Sequence, residues 1–261
     1  MTKPIPKYFQ NDPCHTFYNL ESFSTFALTT DVDWAPDFAT EAVFKIVQEA
    51  GFSMTCFATH KSALLADVPN WIEVGLHPDN TRPHKTLGLT NKIADLKEMY
   101  PGAVGLRCHR NFFGQNIAEF AVKAGLIYDV SVFQWRAPYC SVHVDQFGLT
   151  RMSYSWEDGV HCDLGLDWSL DHVPTASPGL KIFNVHPILV YLNCPDDNYR
   201  RNVTSGYSDL TTATEAELKP RIYQGYGVQT YFREMLQMLQ GSGARSYTLS
   251  EVAAAVSEKT V

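Results

Sequence analysis

Short apolar runs of period two alternate along the chain with longer segments whose apolar residues recur at helical spacing, and turn residues separate them. Residues 23–30 alternate large apolar with small polar side chains and predict a first strand. A helix follows, with Asp37 placed to cap it, Ala42, Val43, Ile46, Val47 and Ala50 on one face, and Gly51 as its stop. Further strands are predicted at 52–58, 72–76, 103–106, 126–133 and 149–156, and helices at 90–99, capped by Thr90, and at 115–124. Residues 181–192 read as a buried strand region with His186-Pro187 set inside it. A late helix at 229–240, a short strand at 245–249 and a last helix from Ser250 complete the pattern. This βα alternation predicts a parallel barrel or a doubly wound sheet.

The polar residues collect at one kind of place. Asp31 and Asp33, His60, His77 with His84, Arg107 with His109, Glu157 with Asp158, and His186 all lie at or just beyond the C-terminal end of a predicted strand. In a parallel barrel those ends share one rim, so residues distant in sequence converge there. If the first strand persists through Asp31-Val32-Asp33, the two carboxylates project from one face about 7 Å apart, so one could bind a cation and the other hold its water. The alternative is that Asp33 caps the following helix and Asp31 is a solvated loop acid. A lone histidine is more often a hydrogen-bonded or surface residue than a ligand, and here it is the joint placement that points to a metal hydrolase. A mixed Asp and His set without clustered thiolates favours Zn²⁺, with Co²⁺, Ni²⁺ or Fe²⁺ also able to occupy such a site.

Composition narrows the picture. The 261 residues suffice for one large core, so a single domain over 1–261 is expected. The net charge of −7 argues against a nucleic-acid or anionic-membrane partner and leaves neutral and cationic substrates open. The six cysteines form no C-x-x-C pair, which fits reduced thiols and a cytoplasmic location. No run approaches the ~20 apolar residues of a membrane span, and residues 1–11 lack the apolar stretch of a secretory signal. There is no G-x-S-x-G elbow, no P-loop and no G-x-G-x-x-G after a strand. The Asp196-Asp197 and Arg200-Arg201 pairs read as solvated loop charges or as the rim of a cleft.

Five fragments in order carry a family resemblance: Asp31-Val32-Asp33, Met54-Thr55-Cys56-Phe57, Gly75-Leu76-His77, Gly105-Leu106-Arg107 and Val185-His186-Pro187. Over roughly residues 23–190 the chain resembles the polysaccharide deacetylases of the NodB-homology type. More narrowly, Gly75-Leu76-His77-Pro78-Asp79-Asn80, Leu106-Arg107-Cys108-His109, Tyr154-Ser155-Trp156-Glu157-Asp158 and His186-Pro187-Ile188 look like the WbmS-like proteins of bacterial O-antigen clusters. The resemblance implies a distorted (β/α)₇ barrel and metal-dependent hydrolysis of an N-acyl group on a saccharide. It implies Asp31 as general base, Asp33 and His77 as metal ligands, Arg107 as the partner orienting the base, and His186 as general acid. A protonated His186 needs a nearby carboxylate, and Glu157 and Asp158 are the candidates. Two departures stand out. The family's second motif has two histidines four apart, whereas Thr81 lies four beyond His77 and the next histidine is His84; the arginine motif continues as Cys108-His109. The third ligand is therefore His84, preferred for sharing the loop of His77, or His109. Trp34, Trp135 and Trp156 are candidates to stack on a sugar or to fill the core. The competing readings are a hydrolase of another amide or a phosphoester, and a catalytically inactive saccharide-binding barrel.

Overall fold

The computed structural model describes residues 25–79 and 88–257. Among these, one sheet holds β1 (Thr25–Asp31), β2 (Met54–Ala58), β3 (Ile72–Leu76), β4 (Gly105–Leu106), β5 (Tyr128–Phe133), β6 (Val142–Val144), β7 (Thr150–Tyr154), β8 (Trp156–Glu157), β9 (Lys181–Val185) and β10 (Arg245–Ser246). Its order is β6-β7-β5-β4-β3-β2-β1-β9-β8, with β10 beside β1. Every pairing is parallel except that of the edge strand β6 with β7. The segment 150–157 is broken only at Ser155: Tyr154 pairs with Phe133 of β5, and Trp156 with Phe183 of β9. Its two halves bring the pairing round, and the result is the distorted (β/α)₇ barrel expected.

The helices are α1 (Asp37–Glu49), α2 (Leu89–Met99), α3 (Gln115–Lys123), α4 (Asp158–Asp163), α5 (Pro187–Tyr191), α6 (Asp197–Thr204), α7 (Glu215–Leu218), α8 (Val228–Gly241) and α9 (Leu249–Ser257). In α1 the face Ala39, Val43, Ile46 and Val47 is buried, and Gly51 leaves the helix at φ 70°, a conformation that costs glycine little.

Three local expectations are corrected. Asp37 is the first helical residue rather than the cap, which is Pro36; its carboxylate accepts hydrogen bonds from Ser62 Oγ at 2.6 Å and Leu64 N at 3.1 Å, tying α1 to the loop after β2. Gly88, not Thr90, occupies the cap of α2. Residues 181–192 are not one strand: β9 ends at Val185, and Pro187 opens α5, where its missing N–H costs nothing and its fixed φ already suits a helix. That turn from strand to helix sets His186 at the rim.

Two glycines make room beneath the site. A Cβ on Gly105 would stand 1.9 Å from the Tyr128 ring, and one on Gly75 would stand 2.7 Å from the Phe57 ring. Both rings are fully buried, and Phe57 lies under the guanidinium of Arg107 at 4.8 Å. Among the described residues no helix is long and apolar enough to cross a membrane.

Candidate active site

Arg107, immediately after β4, is 1% exposed, and a cation so buried must be paired. Its Nη1 donates to Asp31 Oδ1 at 3.0 Å, Thr29 Oγ1 at 3.0 Å and Asn184 Oδ1 at 2.7 Å. The guanidinium also lies 4.2 Å from the Tyr154 ring centroid. Asn184 Nδ2 donates to Asp31 Oδ2 at 3.0 Å, so both oxygens of Asp31 are held. Asn184 escaped the sequence reading. Its only signal was an amide in an otherwise apolar stretch of β9, and its importance comes from register: it pairs with Thr29 of β1.

Asp33 does not continue the strand. Its φ of 45° turns the chain after Asp31, so the two carboxylates address different sides of His77 rather than projecting from one strand face. Asp31 Oδ1 is 3.8 Å from His77 Nδ1, and Asp33 Oδ1 is 3.2 Å from His77 Nε2. His109 points its Nε2 at the same Asp33 oxygen from 3.9 Å, while its Nδ1 stands 3.0 Å from Asp79 Oδ1.

Asp33 Oδ1 is buried, yet it has no partner at proper hydrogen-bond angles. Burial alone would raise its pKa, but the close approach of His77 at 3.2 Å and the charges of His186, His77 and His109 hold it below the usual carboxylate range. Burial likewise works against a charged His77, and Asp31 and Asp33 outweigh it, raising that ring above its ordinary value. Burial keeps His109 below its ordinary value, in the neutral form that a ligand requires. Ligands about 2.0–2.1 Å from a tetrahedral Zn²⁺ lie roughly 3.3 Å from one another, close to the 3.2 Å between Asp33 Oδ1 and His77 Nε2. The donor types fit a cation, although no three His, Cys, Asp or Glu groups among the described residues are gathered closely enough to hold one. His84 falls within 80–87, outside the described residues.

His186 caps α5. Its Nδ1 is 2.6 Å from Asp158 Oδ1 and its backbone N donates to Asp158 Oδ2 at 2.8 Å, so one fully buried carboxylate fixes both ring and chain. The ring's Nε2 remains, 3.9 Å from Asp33 Oδ2. Burial would depress this histidine, but the charge and hydrogen bond of Asp158, with Asp33 and Glu157, raise its pKa well above the usual value. Of the two expected partners, Asp158 makes the contact. Glu157 accepts instead from Tyr154 Oη at 3.1 Å, and burial raises its carboxyl.

Asp31, Asp33, His77, Arg107, His109, Glu157 and His186 line one cavity of about 130 Å³, room for roughly four waters or one acyl group. His60 does not line it; its backbone carbonyl accepts from Tyr100 Oη at 2.8 Å. Trp156 is fully buried and packs on Tyr231, a core role, and Trp135 packs against the core, whereas Trp34 stands beside His109 with ring centroids 5.1 Å apart.

The sequence model of the WbmS-like polysaccharide deacetylases matches residues 28–203. Among solved structures the fold is similar to WbmS of Bordetella bronchiseptica, described as a candidate polysaccharide deacetylase involved in O-antigen biosynthesis. That match has a TM-score of 0.72 and 22% identity, and covers 87% of this chain and 98% of that one. It is also similar to the peptidoglycan deacetylase PdaC of Bacillus subtilis, with a TM-score of 0.51 and 12% identity over 92% of this chain and 94% of that one. The comparison with curated proteins gave no match. With most of its length matched by that family's model, from β1 into α6, the chain belongs to the WbmS-like polysaccharide deacetylases.

Proposed function

We propose that this chain hydrolyses the N-acyl group, N-acetyl in the simplest case, of a saccharide destined for O-antigen or another cell-surface polysaccharide, using a divalent cation, Zn²⁺ first. The observation that carries this reading is the buried, unpartnered Asp33 Oδ1 facing two imidazole nitrogens between an Asp31–Arg107 pair and a His186–Asp158 pair. Asp33, His77 and His109 would hold the cation, which when bound polarises the acyl carbonyl and acidifies a water.

The chain's own groups divide the proton transfers. Asp31 takes the proton of the attacking water; Arg107 and Asn184 fix its carboxylate in place. His186 delivers a proton from Nε2 to the departing amine nitrogen, and Asp158 holds it in the protonated, correctly turned form. Among the described residues Cys56, Cys108, Cys140, Cys162 and Cys194 are free and buried, which is in keeping with the cytoplasmic placement we propose.

The function is tested by incubating protein purified without chelator with N-acetylated oligosaccharides and with a phosphoester panel, reading free amine and free phosphate. Amine release that chelation abolishes and Zn²⁺ restores is expected; phosphate release alone would replace the reading with a phosphoesterase.

Of the two candidates for third ligand, His84 lies outside the described residues; we propose His109, whose Nε2 faces Asp33 and whose Nδ1 is backed by Asp79, an arrangement common behind zinc-bound histidines. His109→Ala is therefore expected to lose bound Zn²⁺. Asp79→Asn should keep the metal with affinity about tenfold weaker. Titration with a fluorescent zinc chelator reads both, and a His84→Ala protein that loses its metal while His109→Ala keeps it would return the role to His84.

A further inference from the structure

Beyond the reaction cavity lies a wider groove of about 480 Å³, within the usual range for small-molecule sites. The two spaces share Asp33, His109, Arg110, Glu157 and His186, so whatever is held in one continues into the other. The groove's far side is formed by α6, which brings in Asp197, Arg200 and Arg201.

These arginines are arranged, not merely exposed. Asp197 accepts Arg200 Nε on one oxygen at 2.6 Å and Arg201 Nε on the other, so a single carboxylate holds two guanidinium groups side by side. Each is bound through Nε alone, and the Nη edges make no hydrogen bond among the described residues. Arg110, exposed at the junction of the two spaces and held at φ 56°, pairs with no carboxylate among the described residues. Away from the reaction cavity the groove thus sets Arg200 and Arg201 beside Asp163 and Asp197, with Arg110 at the junction; the charges balance in number, and the open Nη edges are what the groove presents to a ligand. Planar guanidinium forks match carboxylate and phosphate oxygens better than they match neutral hydroxyls.

We infer that this groove is a subsite for an anionic group of the substrate, the carboxylate of an acidic sugar or the phosphate of a glycosyl phosphate, clasped by Arg200 and Arg201 with Arg110 at the junction. The inference rests on the deacylase reading for what occupies the neighbouring cavity. It narrows the substrate to an acidic or phosphorylated N-acyl saccharide, where the net charge alone had left only neutral and cationic ones open.

The test is calorimetric titration of the protein with three probes: N-acetylglucosamine, its uronic acid and its 1-phosphate. Each is run with and without chelator, so that binding to a cation is not read as binding to arginine. At least one anionic probe is expected to bind about tenfold more tightly than the neutral sugar in both conditions, the preference weakening with added salt. Which acid wins separates carboxylate from phosphate. Arg200→Gln with Arg201→Gln should erase the preference and leave neutral-sugar binding within about twofold. Should the double variant fail to fold, Arg201→Gln alone, at a side chain 66% exposed, must cut the preference. Equal binding of all three probes, including none, or a preference that survives the variants, overturns the subsite. Amine release is not read here, so a failed subsite and a failed deacylase reading remain distinguishable.

Discussion

Asp31→Asn is expected to lose at least about 100-fold in kcat while retaining its metal, because an amide of the same shape cannot take a proton from water. The substitution is close to isosteric, and Arg107, Thr29 and Asn184 already form a bonded cluster without it, through the 3.0 Å and 2.7 Å bonds of Arg107 Nη1. The chain should therefore fold, with lower stability because buried Arg107 loses the carboxylate beside it. Asp31 also stands 3.8 Å from His77 Nδ1, which gives the experiment a second edge. If Asp31→Asn instead loses metal and activity together, the carboxylate serves as the outer partner of a ligand and not as the base. Near-normal turnover with metal present would assign the proton to another group.

His186→Ala is expected to lose roughly 100-fold in kcat with its metal in place, and to lose less on substrates whose leaving nitrogen needs no proton. The pH dependence carries the argument further. Asp158, with Asp33 and Glu157, overcomes burial and raises His186 well above its ordinary value, so its protonated form persists to higher pH and the alkaline fall of kcat/KM lies well above 6.5. Asp158→Asn removes the main charge behind that shift while burial continues to oppose the imidazolium. The alkaline limb must then move to lower pH, and activity at pH 8 must drop more than activity at pH 6. Stability follows the same sign: a histidine raised on folding adds stability that is complete below its unfolded pKa and fades as pH rises through the folded one. The difference in denaturation free energy between wild type and His186→Ala should thus shrink on the alkaline side. An unmoved limb in Asp158→Asn would exclude His186 as the acid, and loss of metal from His186→Ala would make it a ligand.

The sequence showed the frame of this site more clearly than its closure. β3 falls on the predicted 72–76 and β1 ends one residue beyond the predicted Thr30, because apolar runs bounded by polar residues mark both; β9 starts at the predicted Lys181 but ends at Val185, where Pro187 opens a helix. Asp31, Asp33, His77, Arg107, His109 and His186 meet because parallel strands end on one rim. What one dimension could not show is which atoms face each other. The φ of 45° at Asp33 sends it to the far nitrogen of His77, a reversal invisible in the spacing of Asp31 and Asp33. The pairing of His109 with Asp79 joins the ends of β4 and β3, and Asn184 matters through its register with Thr29; both depend on neighbours in space. Arg200 and Arg201 looked like loop charges because α6 is polar through most of its length, with Val203 its buried residue.

The proposal at the centre of this reading is that Asp33, His77 and His109 would together hold one divalent cation. Anomalous diffraction at the zinc edge, from crystals of zinc-loaded protein, tests it most directly. A single peak about 2.0–2.2 Å from Asp33 Oδ1, His77 Nε2 and His109 Nε2 is the predicted result; a cation held by other donors, or none in protein that still releases amine, would contradict it.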